Sequence, residues 1–352
     1  MTKQLRISPD LSLPIEVAGE AIGILATRGA GKSYTSAVLV EELWDADIQV
    51  AVVDPTGVYW GLRAGAESKG KGLPIIVLGG AHGDAPLEPT AGALIADVLV
   101  DTGHSLILDF SDFGTKGEQT RFVSAFAERL YTRKARDRAT LHLIVDEADE
   151  FAPQKPMRDE ARMLGAMERI VRRGRSRGIG VTLITQRSAA VNKNVLDVVD
   201  TLLAMRMPGP RDRAAVAAWI TAKSASDELG VLDSLPGLPT GTAWVWSPVR
   251  SILQRVPMRR IRTFDSYATP KPGQERVEPR QIEPIDVAKL GKEIEATKER
   301  AKADDPKELR RQVADLKKQL AARPVEKAEP EIREVRVEVP ILDEATERKL
   351  YL

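Results

Sequence analysis

Residues 26–33 read Ala-Thr-Arg-Gly-Ala-Gly-Lys-Ser, and what flanks them decides the fold. Upstream, residues 21–26 (Ala-Ile-Gly-Ile-Leu-Ala) form a short apolar run suited to a buried parallel strand. Downstream of Lys32, residues Ala37, Val38, Val40, Leu43 and Trp44 fall at helical spacing, so the stretch joins a strand to a helix N-terminus. In that setting free N–H groups and the positive end of the helix dipole face an anion, which is what a phosphate-binding loop needs. Gly29 and Gly31 let the backbone curl inward without Cβ clashes. Lys32 is expected to reach the β- and γ-phosphates of a nucleoside triphosphate, and the Ser33 hydroxyl to coordinate Mg²⁺. Thr27, Arg28, Gly29, Ala30, Gly31 and Tyr34 complete the expected nucleotide-binding loop. The first position of the usual Gly-x-x-x-x-Gly-Lys-Ser pattern is Ala26, which is small enough for the turn.

Roughly 115 residues further on, residues 141–147 read Leu-His-Leu-Ile-Val-Asp-Glu. The apolar residues before Asp146 predict a buried strand with its carboxylate at the C-terminal end, beside the loop in an open α/β sheet. Asp146 is then expected in the Mg²⁺ shell and Glu147 as the base that polarises the attacking water. Such an acid pair is common by chance; the loop upstream gives it meaning. Asp149 and Glu150, the less favoured bases, are expected on a solvated turn.

Composition narrows the class. The 352 residues can hold one large α/β domain with appendages. Cysteine is absent and the three histidines are far apart, which argues against disulfide, thiolate-metal and zinc chemistry. A net charge of +1 excludes gross electrostatic steering to nucleic acid, so any such contact must be local. No apolar run reaches the ~18–20 residues of a membrane span, and the N-terminus lacks the apolar stretch of a signal peptide, so a cytoplasmic protein is expected.

Strand candidates at 48–53, 74–79, 105–109, 141–145, 179–184 and 201–205 alternate with helical patterns at 32–45, 91–101, 117–133, 157–173 and 211–222. Leu13–Val17 and Thr242–Trp246 read as further strands at the two ends. The strand at 105–109, between loop and acid pair in the chain, fits the branch of phosphate-loop enzymes that inserts a strand there and uses a glutamate base. The expected class is therefore α/β, a RecA-like (ASCE) P-loop NTPase with a mostly parallel sheet.

Composition changes sharply near residue 268. Residues 271–350 hold 38 charged side chains, 19 of each sign, about twice the density of the preceding part, and no aromatic falls between Tyr267 and Tyr351. That stretch cannot build a compact core. The expected organisation is a short N-terminal segment (1–20), an ATPase core (13–267), a linker (268–284), a charged helical segment (285–323) and an extended or disordered tail (324–352). Leu309, Val313, Leu316 and Leu320 make a seam of about two heptads, equally compatible with a solvated helix or a coiled coil. Ile285, Leu290 and Ile294 form a similar run, and Val335–Ile341 alternates as an added strand would.

Between the acid pair and the next strand stands Arg172-Arg173-Gly174-Arg175-Ser176-Arg177, and that strand ends in Thr185-Gln186-Arg187. With the loop Ala26–Ser33, the run Asp146–Phe151, Val195-Leu196 and Asp200-Thr201, this ordering resembles the HerA/FtsK superfamily of ring-forming ATPases, its HerA-like branch most closely. The likeness covers about residues 13–265. It implies a hexameric ATPase that uses ATP and Mg²⁺ to translocate or unwind double-stranded DNA, with a nuclease or effector as possible partner. It also implies that Gln186 positions the hydrolytic water or senses the γ-phosphate; a strand-end amide bound to backbone is the plainer reading. An arginine reaching into the neighbouring subunit's site is implied too. Arg172 and Arg175 match that pattern best, Arg172 first, and such a group elsewhere is worth ~10³–10⁵ in rate. Asp54 is expected near the nucleotide; Tyr59 and Trp60 suit either base stacking or a buried role. Lys193 and Arg187 are candidates for a pore lining. Two departures stand out: only some twenty residues precede the first core strand, where HerA proteins carry a small β-barrel, and Arg28 replaces a small or hydroxyl residue. A different class, a nucleotide-controlled assembly scaffold of a defence or mobile-element complex, is suggested by the charged tail.

Overall fold

The computed structural model describes residues 3–66, 70–223, 230–268 and 286–303, with 310–311, 313–318, 335 and 337. Its strands are β1 (Gln4–Leu5), β2 (Leu13–Pro14), β3 (Ala21–Leu25), β4 (Gln49–Asp54), β5 (Ile76–Leu78), β6 (Leu106–Asp109), β7 (Leu141–Val145), β8 (Ile179–Thr185), β9 (Thr201–Ala204), β10 (Thr242–Ser247) and β11 (Ile252–Pro257). The α-helices are α1 (Lys32–Asp45), α2 (Gly92–Thr102), α3 (Lys116–Arg133), α4 (Ala148–Phe151), α5 (Ala161–Arg173), α6 (Lys193–Leu196), α7 (Pro210–Ala222), α8 (Val231–Ser234) and α9 (Val287–Ala303).

One sheet organises the first compact unit, Met1–Lys302, in the order β11-β10-β9-β3-β8-β7-β4-β6-β5. Pairing is parallel from β9 to β5 and antiparallel only where β10 joins β9 and β11. Strands buried on both faces need apolar side chains pointing each way, and these have them. In β7, Leu141, Leu143 and Val145 enter the core shared with α3 and α5, while Ile144 enters the core shared with α1. In β4, Ala51 and Val53 face the first layer, Val50 and Val52 the second. The protein is thus an α/β RecA-like P-loop NTPase by fold, as its strand and helix pattern predicts.

In the sheet the strand between β3 and β7 is β8, while the expected strand at 105–109 forms as β6 on the far side of β4, next to β5. Hydropathy marks both as buried runs and does not encode which neighbour each pairs with. The expected strand Leu13–Val17 is only two residues long, after which Ile15–Gly19 turn into a 3-10 helix. The edge strand β11 escaped notice because its residues are mostly half-buried or exposed and carry little periodic signal. Helix boundaries follow local capping: α3 starts at Lys116 because Thr115 and Glu118 form a reciprocal capping box. α5 starts at Ala161, later than the expected 157, since Glu160 folds back to accept from the Met157 N–H at 2.9 Å.

Beyond the sheet, α9 lays Ile294 against the core and Glu293 Oε2 3.1 Å from His104 Nε2. The second unit, Ala303–Leu352, is described only in part: Val313 and Leu316 are exposed on a helical stretch, and Val335 and Val337 are exposed. The expected linker, except Ala268, and the seam residues Ile285, Leu309 and Leu320 lie outside the described residues. Among the described residues no helix is long and apolar enough to cross a membrane.

Candidate nucleotide site

The loop between β3 and α1 is built from behind. Thr27 N–H donates to Arg206 O at 2.9 Å, Ala26 N–H to Thr185 O at 3.1 Å, and Gly241 N–H to Ala30 O at 2.9 Å. Gly29 and Gly31 adopt φ of 73° and 99°, left-handed values that let the loop turn into α1, and Gly31 caps that helix. A Cβ on Gly31 would sit 3.3 Å from Gly241 N, so two glycines allow the loop and the start of β10 to approach. The result is a cavity of about 650 Å³ at the helix N-terminus, lined by Arg28, Gly29, Gly31, Lys32, Ser33 and Tyr34 from the loop and by Asp146 and Glu147 opposite. Arg28 is exposed at its rim, and Thr27 and Ala30 support the loop from within.

The acid pair meets the loop directly. Lys32 Nζ lies 3.1 Å from Glu147 Oε1 and 3.9 Å from Asp146 Oδ1. Gln186 Nε2 donates to the same Glu147 Oε1 at 3.1 Å, so two chain-distant groups converge on one carboxylate. Glu147 itself has φ 46°, ψ 51°, a left-handed conformation uncommon for a non-glycine residue and costly unless the surroundings hold it. Asp146 is buried; its Oδ1 accepts from Glu147 N–H at 2.9 Å. Burial pushes both carboxyls above the usual range, with Lys32 opposing the rise in each. Ser33 and Asp146 are oxygen donors facing the cavity, the chemistry a hard Mg²⁺ ion takes when it keeps waters and phosphate oxygens as its other ligands.

Asp54, at the end of β4, makes a loop rather than contacting the cavity. Its Oδ1 accepts from Thr56 N, Thr56 Oγ1 and Gly57 N, and its Oδ2 from Val58 N and Tyr59 N, at 2.7–3.1 Å. Burial raises its pKa to about 7; the loop N–H donors oppose the rise, while Asp109 and Asp146 add to it. The loop so fixed presents Tyr59, whose hydroxyl lies 2.6 Å from Ser36 Oγ and donates to Asp146 Oδ2 at 3.3 Å. Asp54→Asn would set an amide NH₂ against two N–H donors. It is expected to cost about 1–3 kcal/mol in urea unfolding; a change below about 0.5 kcal/mol would show that the loop does not need the carboxylate.

Tyr59 is buried beneath Asp146, and Trp60 stacks on His82 at 3.9 Å, outside the cavity lining, so neither stands ready to stack on a base. Asp149, expected on a solvated turn, is buried and accepts from Thr185 Oγ1 at 2.7 Å; tight packing of α4 on β8 turns it inward. Glu150 is half-buried on the same short helix. Tyr34 lines the cavity while its hydroxyl accepts from Ile261 N–H at 2.9 Å. Arg187 and Lys193 are exposed. Arg172 pairs with Glu168 on α5 at 2.9 Å, and Arg175 approaches buried Glu20 at 3.3 Å. Both precede β8, whereas Gln186 follows its seven residues, so the strand separates them by about 20 Å at ~3.3 Å per residue. Neither arginine lines the cavity of its own chain. Sequence reasoning missed Thr240, Gly241, Pro257, Met258, Asp265 and Tyr267, which close the cavity from the far end of the core and carry no local motif.

A glycine loop on a helix N-terminus, with an acid pair one strand away and a glutamine at the end of the strand between them, is the arrangement of a RecA-like P-loop NTPase fold. Comparison with known proteins refines this. The family described as the central domain of helicase HerA matches residues 8–78. The DNA double-strand break repair helicase HerA of Pyrococcus furiosus is 35% identical over 103 residues, 29% of this chain and 17% of that protein. A probable helicase of Methanocaldococcus jannaschii is 29% identical over 145 residues, 41% of this chain and 25% of its own length. The matches therefore span only a quarter or less of these relatives. In fold, the plasmid coupling protein TrwB, solved with the non-hydrolysable GTP analogue GDPNP, superposes with a TM-score of 0.56 at 11% identity, covering 75% of this chain and 91% of that one. The likeness to the HerA central-domain family is thus carried by residues 8–78, and the structural neighbour adds the P-loop NTPase fold.

Proposed function

We propose that the protein hydrolyses ATP with Mg²⁺ and couples hydrolysis to movement of double-stranded DNA through the pore of a homo-oligomeric ring of six subunits. The observation that carries the catalytic half is the convergence of Lys32 and Gln186 on Glu147 Oε1 at 3.1 Å each. In the free protein Lys32 acts as counter-cation to the acid pair. When triphosphate enters, its charge competes for the ammonium, which releases Glu147 to take a proton from water while Gln186 keeps the carboxylate aimed. Ser33 and Asp146 would hold Mg²⁺, which supplies charge neutralisation at the phosphates. Kinship with HerA supports the DNA half, and with it a nuclease or effector partner and a cytoplasmic location.

The arginine block fits action across a subunit interface. Arg172 and Arg175 lie just before the N-terminal end of β8 and outside the lining of their own cavity, and their carboxylate partners leave them 53% and 71% exposed. Rings assembled from Arg172→Ala and Glu147→Gln subunits should regain part of the turnover that each variant lacks alone, because some interfaces then pair an intact base with an intact arginine. Normal turnover by Arg172→Ala alone would remove that assignment. For the function as a whole, mass photometry with and without ATP, followed by ATPase assays with duplex DNA, is the decisive experiment. A steady rate indifferent to DNA, with no displacement along duplex, would overturn the translocase reading and leave the ATPase reading standing.

A further inference from the structure

Arg28 sits at the tip of the phosphate loop. It and Gly29 are the central pair of a tight turn, closed by Ala30 N–H donating to Thr27 O at 3.2 Å. Gly29 takes the second central place with φ 73°, which glycine adopts without steric cost. The turn is held by Arg206, which is not part of the cavity lining: Gly29 O accepts from Arg206 Nη2 at 3.0 Å, and Thr27 N–H donates to Arg206 O at 2.9 Å. The backbone at the tip is therefore fixed. The Arg28 side chain is not: it is exposed, and no described residue accepts a hydrogen bond from its guanidinium or pairs with it.

The charge balance of the cavity singles this residue out. Two cations line it, Arg28 and Lys32, against the acids Asp146, Glu147 and Asp265. Lys32 is already engaged, 3.1 Å from Glu147 Oε1 and 3.9 Å from Asp146 Oδ1. Arg28 is the lining cation with no carboxylate within 4 Å among the described residues. Arg172 and Arg175, by contrast, are paired with carboxylates and lie outside the lining. A triphosphate carries more negative charge than the loop N–H groups and Lys32 can balance, and hydrolysis shifts that charge towards the bond being broken. A guanidinium offers paired donors that match phosphate oxygens, and it keeps its charge at any working pH. For Arg28 to turn onto an arriving anion, no ion pair has to break.

We propose that Arg28 is a catalytic residue of its own subunit's site, its guanidinium closing over the cavity onto the terminal phosphate of the bound nucleotide. The water oxygen bonds to that phosphorus as the bond to the bridging oxygen breaks. The water proton passes to Glu147, and the electron pair leaves with ADP. Arg28 moves no proton; it neutralises charge on the phosphoryl oxygens during the transfer. The inference rests on the nucleotide-binding reading above, and adds a cation acting within the subunit to the one proposed across the interface.

Arg28→Ala in the full chain tests it, since removing an exposed side chain without partners should leave the nucleotide-free melting temperature unchanged. With Mg²⁺, affinity for a fluorescent non-hydrolysable ATP analogue should fall about tenfold, and affinity for fluorescent ADP by less than about threefold. Single-turnover hydrolysis at saturating ATP should slow about 10²-fold, the usual cost of losing one donor to developing charge. Mixing Arg28→Ala with Glu147→Gln subunits should restore no turnover, because every site then lacks one group or the other; the Arg172→Ala mixture described above should regain some. Recovery on mixing would place Arg28 in the neighbour's site and overturn the proposal. An equal loss of ATP-analogue and ADP affinity would do the same, as would binding and hydrolysis both within about twofold of the wild type. If the wild type binds no analogue, the nucleotide reading falls and takes this inference with it; if it binds and the variant matches it, only this inference falls.

Discussion

Glu147→Gln is expected to leave nucleotide binding close to wild type and to slow hydrolysis by about 10²–10⁴-fold, the usual contribution of a positioned general base. The geometry makes the substitution clean. The amide oxygen of glutamine can still accept from Lys32 and Gln186, both 3.1 Å from Glu147 Oε1, so the left-handed turn at this position keeps its contacts. What disappears is the basic oxygen. Single-turnover hydrolysis alongside equilibrium binding separates the two effects, and turnover within threefold of wild type would place the base elsewhere. The same residue sets a pH signature. Burial raises its pKa above the ordinary 4.5, with Lys32 opposing and Asp146 adding. A base works only when ionised, so kcat/KM, which reports the free enzyme, should fall as pH drops through a point above that ordinary value. An acid limb at or below 4.5 would contradict the assignment.

Lys32→Ala is expected to lower nucleotide affinity at least ~30-fold, as loss of one partner from a desolvated charge pair costs about 2–5 kcal/mol. A second effect is peculiar to this site. Lys32 is the cation against two acids that are themselves buried or half-buried. Without it, Asp146 and Glu147 lose the opposing charge and their folded-state pKa values rise further. A carboxyl whose folded pKa exceeds its unfolded value favours the folded state while protonated and withdraws that support as pH rises through the folded value. The nucleotide-free variant should therefore lose more melting temperature than wild type between pH 5 and pH 8. Equal pH dependence of the two proteins would show that Lys32 does not neutralise the pair, and unchanged nucleotide affinity would remove it from the phosphate site.

These effects also explain why the site was partly legible from the chain. The phosphate loop, the strand before it and the helix after it are contiguous, so residues 21–45 carry their own structural code in glycine placement and apolar spacing. The acid pair and Gln186 each end a buried strand, and strands that end at one sheet edge must bring their last residues together. Nothing comparable marks Glu41. It sits on a helix face where a carboxylate reads as solvated, yet it is fully buried because Arg259, Arg262 and Thr263 return to it from more than 200 residues away.

The sequence by itself determined the class of fold, the phosphate loop, the acid pair and the strand-end glutamine, because each is written in local spacing that one strand or one helix enforces. Tertiary structure alone decided that β8 and not β6 lies between loop and acids, and that Asp149 and Tyr59 turn inward. It also decided that Tyr267 closes the cavity from the far end of the core. Those outcomes depend on which distant segments share a sheet edge or a helix face, a matter settled by pairing and packing across the whole chain, to which no local pattern answers.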